Sequence, residues 1–287
     1  MKVVFVGTGT PTPNKNNFGS CALIDSDKSR ILVDCGPAAT QKLINAGYSP
    51  LDIDSIFLTH LHFDHCVDLP CFLLTYWDQN TDLDKILHIY GPKGTEFFVD
   101  KLTGENGAFK DDIAARINAG ASIRTYINRG GIEPRPVPDF DVMDIYSGFS
   151  IRIDDVDVKA AMTKHVDPWL ESYAYRFDFD GRGITFAGDT GSVETISRLA
   201  EGSDILVVNC WNADAVVRGT DNIKALATIE DAAVMAKRSG SRKLVLSHLG
   251  YRSGQGETMT DDEMIEIAGS IFNGETVIAY EGYEKDL

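Results

Sequence analysis

Short apolar runs recur along the chain, each long enough for a buried strand and too brief for a helix. They are Val3–Val6, Cys21–Ile24, Ile31–Val33, Ile56–Leu58, Ile86–Tyr90 and Val156–Ala161, followed by Tyr173–Phe177, Ile184–Ala187, Ile205–Val208, Leu244–Leu246 and Val277–Tyr280. Between them, Ala38–Ala46, Val193–Ala200, Ile229–Arg238 and Asp261–Ile271 carry apolar residues at i, i+3, i+4 spacing and predict helices. Two of these have start signals. Thr228 precedes Ile229-Glu230-Asp231, an N-cap with acids in the first turn, and Thr260-Asp261-Asp262-Glu263 has capping-box form. An all-β opening gives way to alternating strands and helices, which predicts two sheets in one layered α/β domain over residues 1–287. No linker rich in Pro, Gly and Ser divides the chain, and no repeat or low-complexity tract stands out. Asn128 to Pro138, with its three prolines, predicts a long surface loop of the kind that often borders a site.

Composition narrows the function classes. Hydrophobic residues make up 43% of the 287, ample for a buried core. Lys and Arg number 27 against 43 Asp and Glu, a formal charge of −16, which disfavours long nucleic acid and anionic membrane surfaces as partners. No apolar run approaches the ~18–20 residues of a membrane span. The apolar start ends at Gly7, too early for a leader. A soluble, cytoplasmic protein is expected. Five cysteines, Cys21, Cys35, Cys66, Cys71 and Cys210, form an odd set without CxxC spacing, as suits reduced, mostly buried thiols.

Chemistry concentrates in Leu58-Thr59-His60-Leu61-His62-Phe63-Asp64-His65, which holds three of the six histidines. A lone histidine is usually a surface or satisfied core residue. Two histidines and an Asp-His pair packed directly behind a strand-like run are not, because loops at strand C-termini are where α/β folds place their sites. Imidazole mixed with carboxylate suits Zn²⁺, Fe²⁺ or Mn²⁺, with zinc the default. Gly7-Thr8-Gly9 lacks the third glycine of a nucleotide loop, Thr12 standing in its place, and reads as a structural turn.

The segment resembles the HxHxDH signature of the metallo-β-lactamase-fold hydrolases, and the resemblance covers nearly the whole chain. His165 in Thr163-Lys164-His165, Asp189 in Gly188-Asp189-Thr190 and His248 in Ser247-His248-Leu249 stand in the family's order, each just after a strand-like run. The resemblance implies a four-layer αββα sandwich, two mixed sheets flanked by helices, with two divalent metal ions between the sheets at one edge. His60, His62 and His165 would hold the first ion, Asp64, His65 and His248 the second, and Asp189 would bridge them. The ions would share a hydroxide of pKa near ~7, with Asp64 orienting it or taking its proton. His88 is the one histidine outside the set and reads as structural.

Gly7-Thr8-Gly9-Thr10-Pro11, Val33-Asp34-Cys35-Gly36 and Ile89-Tyr90-Gly91-Pro92 are similar to the ribonuclease Z and arylsulfatase-like branch. The departures are specific. The short span between His165 and Asp189 leaves no room for that branch's tRNA-binding arm. Asn209-Cys210-Trp211-Asn212 replaces its HEAT motif, and Leu226-Ala227-Thr228 its HST motif, so Leu226 stands where a histidine would assist the leaving group. Lys15 alone remains of the basic residues near the amino terminus. A small-molecule phosphodiester or aryl sulfate ester is therefore the expected substrate. A lactone or carboxylic ester is the alternative, ahead of tRNA 3′ processing or a non-catalytic metal-binding role. Phe63, Trp169, Asn209, Tyr251 and Arg252 are the candidate substrate-binding residues. Trp77 and Trp211 are further candidates for the wall, with core packing as the plainer reading. Cys35 and Cys66 flank the site without a base to activate them. The branch also suggests a homodimer.

Overall fold

Alternation along the strands builds the layers. In β1, Lys2–Thr8, Val3 and Phe5 join the apolar cluster between the sheets, while Val4 and Val6 join the one beneath the helices. The same split runs through β2, Ser20–Asp25, and β3, Arg30–Val33. Burying both faces of a strand in this way yields a continuous apolar run, each Leu, Ile or Phe contributing about 1.5–3 kcal/mol. The computed structural model describes residues 1–26, 28–82, 84–191, 193–217, 225–250 and 259–286.

After β3 the chain forms α1, Ala39–Asn45, β4, Ser55–Phe57, α2, Phe63–Cys66, α3, Leu69–Gln79, and β5, His88–Gly91. Three helices follow, α4, Thr95–Thr103, α5, Lys110–Asn118, and α6, Gly120–Asn128, before β6, Asp141–Asp144. The second half comprises β7, Ser150–Ile153, β8, Val156–Met162, β9, Tyr173–Phe179, β10, Arg182–Phe186, α7, Val193–Leu199, and β11, Ile205–Asn209. It ends with α8, Asp214–Val217, α9, Ile229–Ser239, β12, Lys243–Ser247, α10, Asp261–Gly269, β13, Glu275–Ile278, and β14, Glu284–Asp286.

The strands form two mixed seven-stranded sheets, ordered β14-β1-β2-β3-β4-β5-β6 and β13-β12-β11-β10-β9-β8-β7. From β14 to β3 and from β7 to β10 the pairings are antiparallel; the rest of each sheet is parallel. One cluster fills the space between the sheets. A second lies under α7, α9 and α10, and a third under α1, α3 and α4. The result is the expected αββα sandwich. No helix among the described residues is long and apolar enough to cross a membrane.

All eleven expected strands and all four expected helices are present, with shifted ends. Both capping boxes form: Thr228 Oγ1 accepts from Asp231 N at 3.1 Å, and Thr260 Oγ1 from Glu263 N at 3.2 Å. α5 and α6, between β5 and β6, were not legible, because Ile113 and Tyr126 are the only residues they bury. Residues 129–140 form the expected loop, but one side chain runs inward. The Arg135 guanidinium lies 4.3 Å from the Trp77 ring centre and donates to Asp78 Oδ1 at 2.9 Å. Arg116 and Arg129 bond the same carboxylate at 2.8 Å each, fastening α5 and the loop to α3.

Candidate metal centre

The first sheet supplies four of the candidate ligands from one turn. β4 is wholly buried, and the chain leaving it passes through Thr59 and His60 into the single-turn helix α2. Asp64 and His65 lie on that turn at 1% and 0% exposure. α2 is pressed against the segment after β3, where Cys35 N donates to His65 O at 2.7 Å. A Cβ on Gly36 would stand 2.1 Å from Asp64 O, so only glycine fits there. Asp34 is the buried hub of this side, in left-handed backbone at φ 62°. It accepts from Thr59 N at 2.8 Å, from Thr59 Oγ1 at 2.9 Å and from His65 Nδ1 at 2.7 Å. With the Thr59 hydroxyl proton given to Asp34, His60 Nδ1 donates to Thr59 Oγ1 at 3.1 Å. Both rings are thereby left with Nε2 as the open nitrogen.

The second sheet supplies one candidate ligand from each of three loops. His165 follows β8, and its Nδ1 donates to Ala225 O at 2.7 Å, which again leaves Nε2 open. Asp189 follows β10, where its Oδ1 accepts from Asn209 Nδ2 at 2.8 Å. His248 follows β12 in left-handed backbone at φ 57°, its N–H bonded to Thr8 O at 3.1 Å. Such backbone costs a non-glycine residue roughly 1–3 kcal/mol and clusters at functional sites. Asp34 and His248 both hold it here. Thr59 O accepts from Tyr173 N at 2.9 Å, and Leu58 O from the Tyr175 hydroxyl at 2.7 Å, which ties the two sheets together behind the site.

Among the described residues, two groups could each hold a metal ion: His60, His62, His165 and Asp189, and Asp64, His65 and His248. His62 Nδ1 lies 2.9 Å from His60 Nε2 and 3.2 Å from His165 Nε2, so lone pairs converge where one proton cannot serve both. His248 Nε2 lies 3.1 Å from Asp64 Oδ2. His65 Nε2 and Asp64 Oδ1 are buried without a hydrogen-bond partner. Asp189 reaches both groups: Oδ2 is 3.8 Å from His165 Nε2 and 3.7 Å from His248 Nε2, and Oδ1 is 3.6 Å from His65 Nε2. Open ring nitrogens around a shared carboxylate suit a pair of divalent cations.

Electrostatics agree with that use. Burial, with the neighbouring histidines, drives His60 well below the usual imidazole range and lowers His62, so both are neutral and able to ligate. Burial would also lower His65, but Asp34 and Asp189 outweigh it and push it up to about 10. His248 is raised against burial by Asp189 and by its bond to Asp64. Burial opposes ionisation of Asp64 and Asp189. His248 and His65 nevertheless hold Asp64 below the usual carboxylate range, and the surrounding histidines hold Asp189 well below it. In the absence of a metal the pocket gathers protons, which a cation must displace.

The other sequence candidates fall in several places. Phe63, 53% exposed, opens α2 directly after His62, and Trp169, 85% exposed, stands on the loop that carries His165. Tyr251 and Arg252 lie outside the described residues. Asn209 is buried, with one amide proton already given to Asp189. Trp211 packs against Gly250, while Trp77 belongs to α3 and the Arg135 loop. Burial pushes the Cys66 thiol up to about 12 and Cys35 well above its usual value, so neither is an activated nucleophile. Asp34 is the buried acceptor for Thr59 and His65 that motif reading passed over. An acid directly behind a buried run, Ile31–Val33, is the same signal that marks Asp189.

Comparison with known proteins places the chain. The sequence family described as anti-Pycsar protein Apyc1 matches residues 1–115. Ribonuclease Z of Mycobacterium marinum is 30% identical over 254 residues, which cover 86% of this chain and 86% of the relative. The metallo-β-lactamase fold protein YhfI from Bacillus subtilis superposes with a TM-score of 0.72 at 22% identity, covering 99% of this chain and 98% of the other. The short form of human tRNase Z gives 0.69, also at 22% identity, over 100% of this chain and 99% of the other.

Proposed function

This chain belongs to the ribonuclease Z family of metallo-β-lactamase-fold proteins, and from that premise we propose that it hydrolyses a small-molecule phosphodiester or aryl sulfate ester. Its two ligand groups make it a metal-dependent hydrolytic enzyme with a binuclear divalent-metal cofactor. We take the pair to be Zn²⁺, with His60, His62 and His165 on one ion, Asp64, His65 and His248 on the other, and Asp189 shared. The observation that carries the reading is the position of Asp189 Oδ2, within 3.8 Å of one histidine from each group. When bound, such a pair lowers the pKa of water toward ~7 and offsets charge developing on an ester oxygen.

The chain's own residues do the remainder. Asp64, buried beside His65 and His248, would orient the attacking water and accept its proton. Asp34 and the Ala225 carbonyl hold His65 and His165 in the ligating tautomer. Phe63 and Trp169 offer exposed aromatic faces to an aryl or other planar leaving group. Cys210 bridges to Ala227, which brings the Asn209 segment beside Leu226. A neutral amide and an aliphatic side chain thus stand where the family's sequence pattern has ionisable residues. This favours leaving groups that depart without a proton, such as phenolates.

The names of the mycobacterial relatives favour a second reading, tRNA 3′ processing. Against it, β9 and β10 are joined by the two residues Asp180 and Gly181, both at positive φ, with no inserted arm. The discriminating experiment is turnover of bis(p-nitrophenyl) phosphate, an aryl sulfate, a p-nitrophenyl carboxylic ester, an acyl lactone and a precursor tRNA, each with and without EDTA. We expect chelator-sensitive cleavage of the phosphodiester or the sulfate. Cleavage of the precursor tRNA alone overturns the proposal, and turnover of the lactone or carboxylic ester alone moves it to the alternative.

A further inference from the structure

We propose that Asn209 is a positioning residue for Asp189, fixing the plane of its carboxylate so that one oxygen is presented to both ligand groups at once. The inference rests on the reading of Asp189 as the shared ligand. Asn209 Nδ2 donates to Asp189 Oδ1 at 2.8 Å. The oxygen so occupied faces His65 Nε2 at 3.6 Å, and the other, Oδ2, lies 3.8 Å from His165 Nε2 and 3.7 Å from His248 Nε2. The two oxygens are equivalent, so a half-turn about the Asp189 Cβ–Cγ bond changes nothing, but without that bond the broad terminal torsion would let the carboxylate plane swing to angles that aim neither oxygen at both groups. The amide removes that freedom. Being neutral, it also adds no charge beside a carboxylate meant for cations.

Two features make Asn209 suited to this. It is the last residue of β11, a central parallel strand whose register with β12 pairs Asn209 with Ser247, the residue before His248. One strand end therefore carries the clamp for Asp189, and its hydrogen-bonded neighbour carries His248. Behind them lies a cavity of about 20 Å³ lined by Asn209, Ser247, Asp34, Thr59 and Gly188, with room for about one water molecule. A water there could donate to Asp189 in place of a lost amide, so a test substitution must also fill that space. The residues behind a ligand commonly govern metal affinity by 10–100-fold, roughly.

The test uses the full chain and three forms, wild type, Asn209→Leu and Asn209→Asp. Leucine is close in shape and fills the space a water would need. Aspartate keeps the shape, removes the donor and adds a charge. Zn²⁺ stoichiometry and affinity are read by competition with a chromophoric chelator, and kcat and KM on bis(p-nitrophenyl) phosphate are measured separately. We expect wild type to bind two ions. Asn209→Leu should bind one of them roughly 10–100-fold more weakly, with kcat reduced and KM within about twofold at saturating metal. Asn209→Asp should also lose kcat at saturating metal, because its carboxylate repels Asp189 from the clamped position. If Asn209→Leu retains both ions at wild-type affinity and unchanged kcat, whatever its melting temperature, the positioning role is overturned while the binuclear reading stands. If wild type itself fails to bind two ions, the binuclear reading falls and takes this role with it.

Discussion

The two sheets are built to one plan and equip the site in opposite ways. Each runs through three antiparallel pairings and then three parallel ones. The first places His60, His62, Asp64 and His65 on one turn after β4, braced from below by Asp34. The second gives His165, Asp189 and His248 singly, from loops after three different strands, and braces them with Ala225 O, Asn209 and Thr8 O. A turn that carries four candidate ligands can be set by local geometry. Three isolated candidates depend on the strand register of a whole sheet. The first sheet also bears α4, α5 and α6 between its last two strands, an addition held to α3 through Asp78 and three arginines.

The largest expected effect comes from removing Asp189, the residue proposed to serve both groups. Asp189→Ala should abolish turnover and leave one metal ion or none, while the far-ultraviolet circular dichroism is unchanged. His62→Ala, from the first sheet, should match it in turnover; a variant that kept activity would break the symmetry of the two contributions. Next comes the brace on the first sheet. Asp34→Asn keeps the shape but weakens the hold on His65, and metal affinity should fall by about 10–100-fold in chelator competition.

A change in the added helices should separate stability from catalysis. Asp78→Asn leaves Arg135, whose side chain is 2% exposed, without its anion. Unfolding by urea should show a loss of about 3 kcal/mol, with kcat at 25 °C within about twofold of wild type. A fall in metal affinity equal to that of Asp34→Asn would show that α4–α6 take part in the site.

The smallest effect is one of pH. Hydrogen bonds and charge from Arg129, Arg135 and Arg116 overcome burial and hold the Asp78 carboxyl down at about 2, against an ordinary 3.8. Because the folded value is depressed, the stabilisation is present above pH ~4 and is lost as pH falls toward 2, about 1–2 kcal/mol in all after screening. The gap in stability between wild type and Asp78→Asn should therefore narrow between pH 4 and pH 2. A gap that stays constant over that interval would assign it to packing.

The comparison also explains what the sequence disclosed. Ligands on one turn make a dense local signal, so His60 to His65 stand out without any partner in view. His165, Asp189 and His248 gain meaning only when matched in order to a family pattern. Asp34 and Asn209 act through hydrogen bonds across 25 and 20 positions of chain, and neither residue type is distinctive where it stands. Buried strands with apolar residues on both faces announce themselves as runs. β6, Asp141–Asp144, with only Val142 and Met143 apolar, and β14, Glu284–Asp286, wholly polar, sit at sheet edges and give no such signal. The capping residues Thr228 and Thr260 were legible because a cap is a contact three residues away.

The central claim is that the two ligand groups form one binuclear centre for ester hydrolysis. Its most direct test is metal content per chain measured alongside bis(p-nitrophenyl) phosphate and aryl sulfate turnover as Zn²⁺ is returned to chelator-stripped protein. The account predicts no turnover in stripped protein and recovery that is complete only when two ions are bound per chain. Full turnover in stripped protein, or saturation of both binding and activity at a single ion, would contradict it.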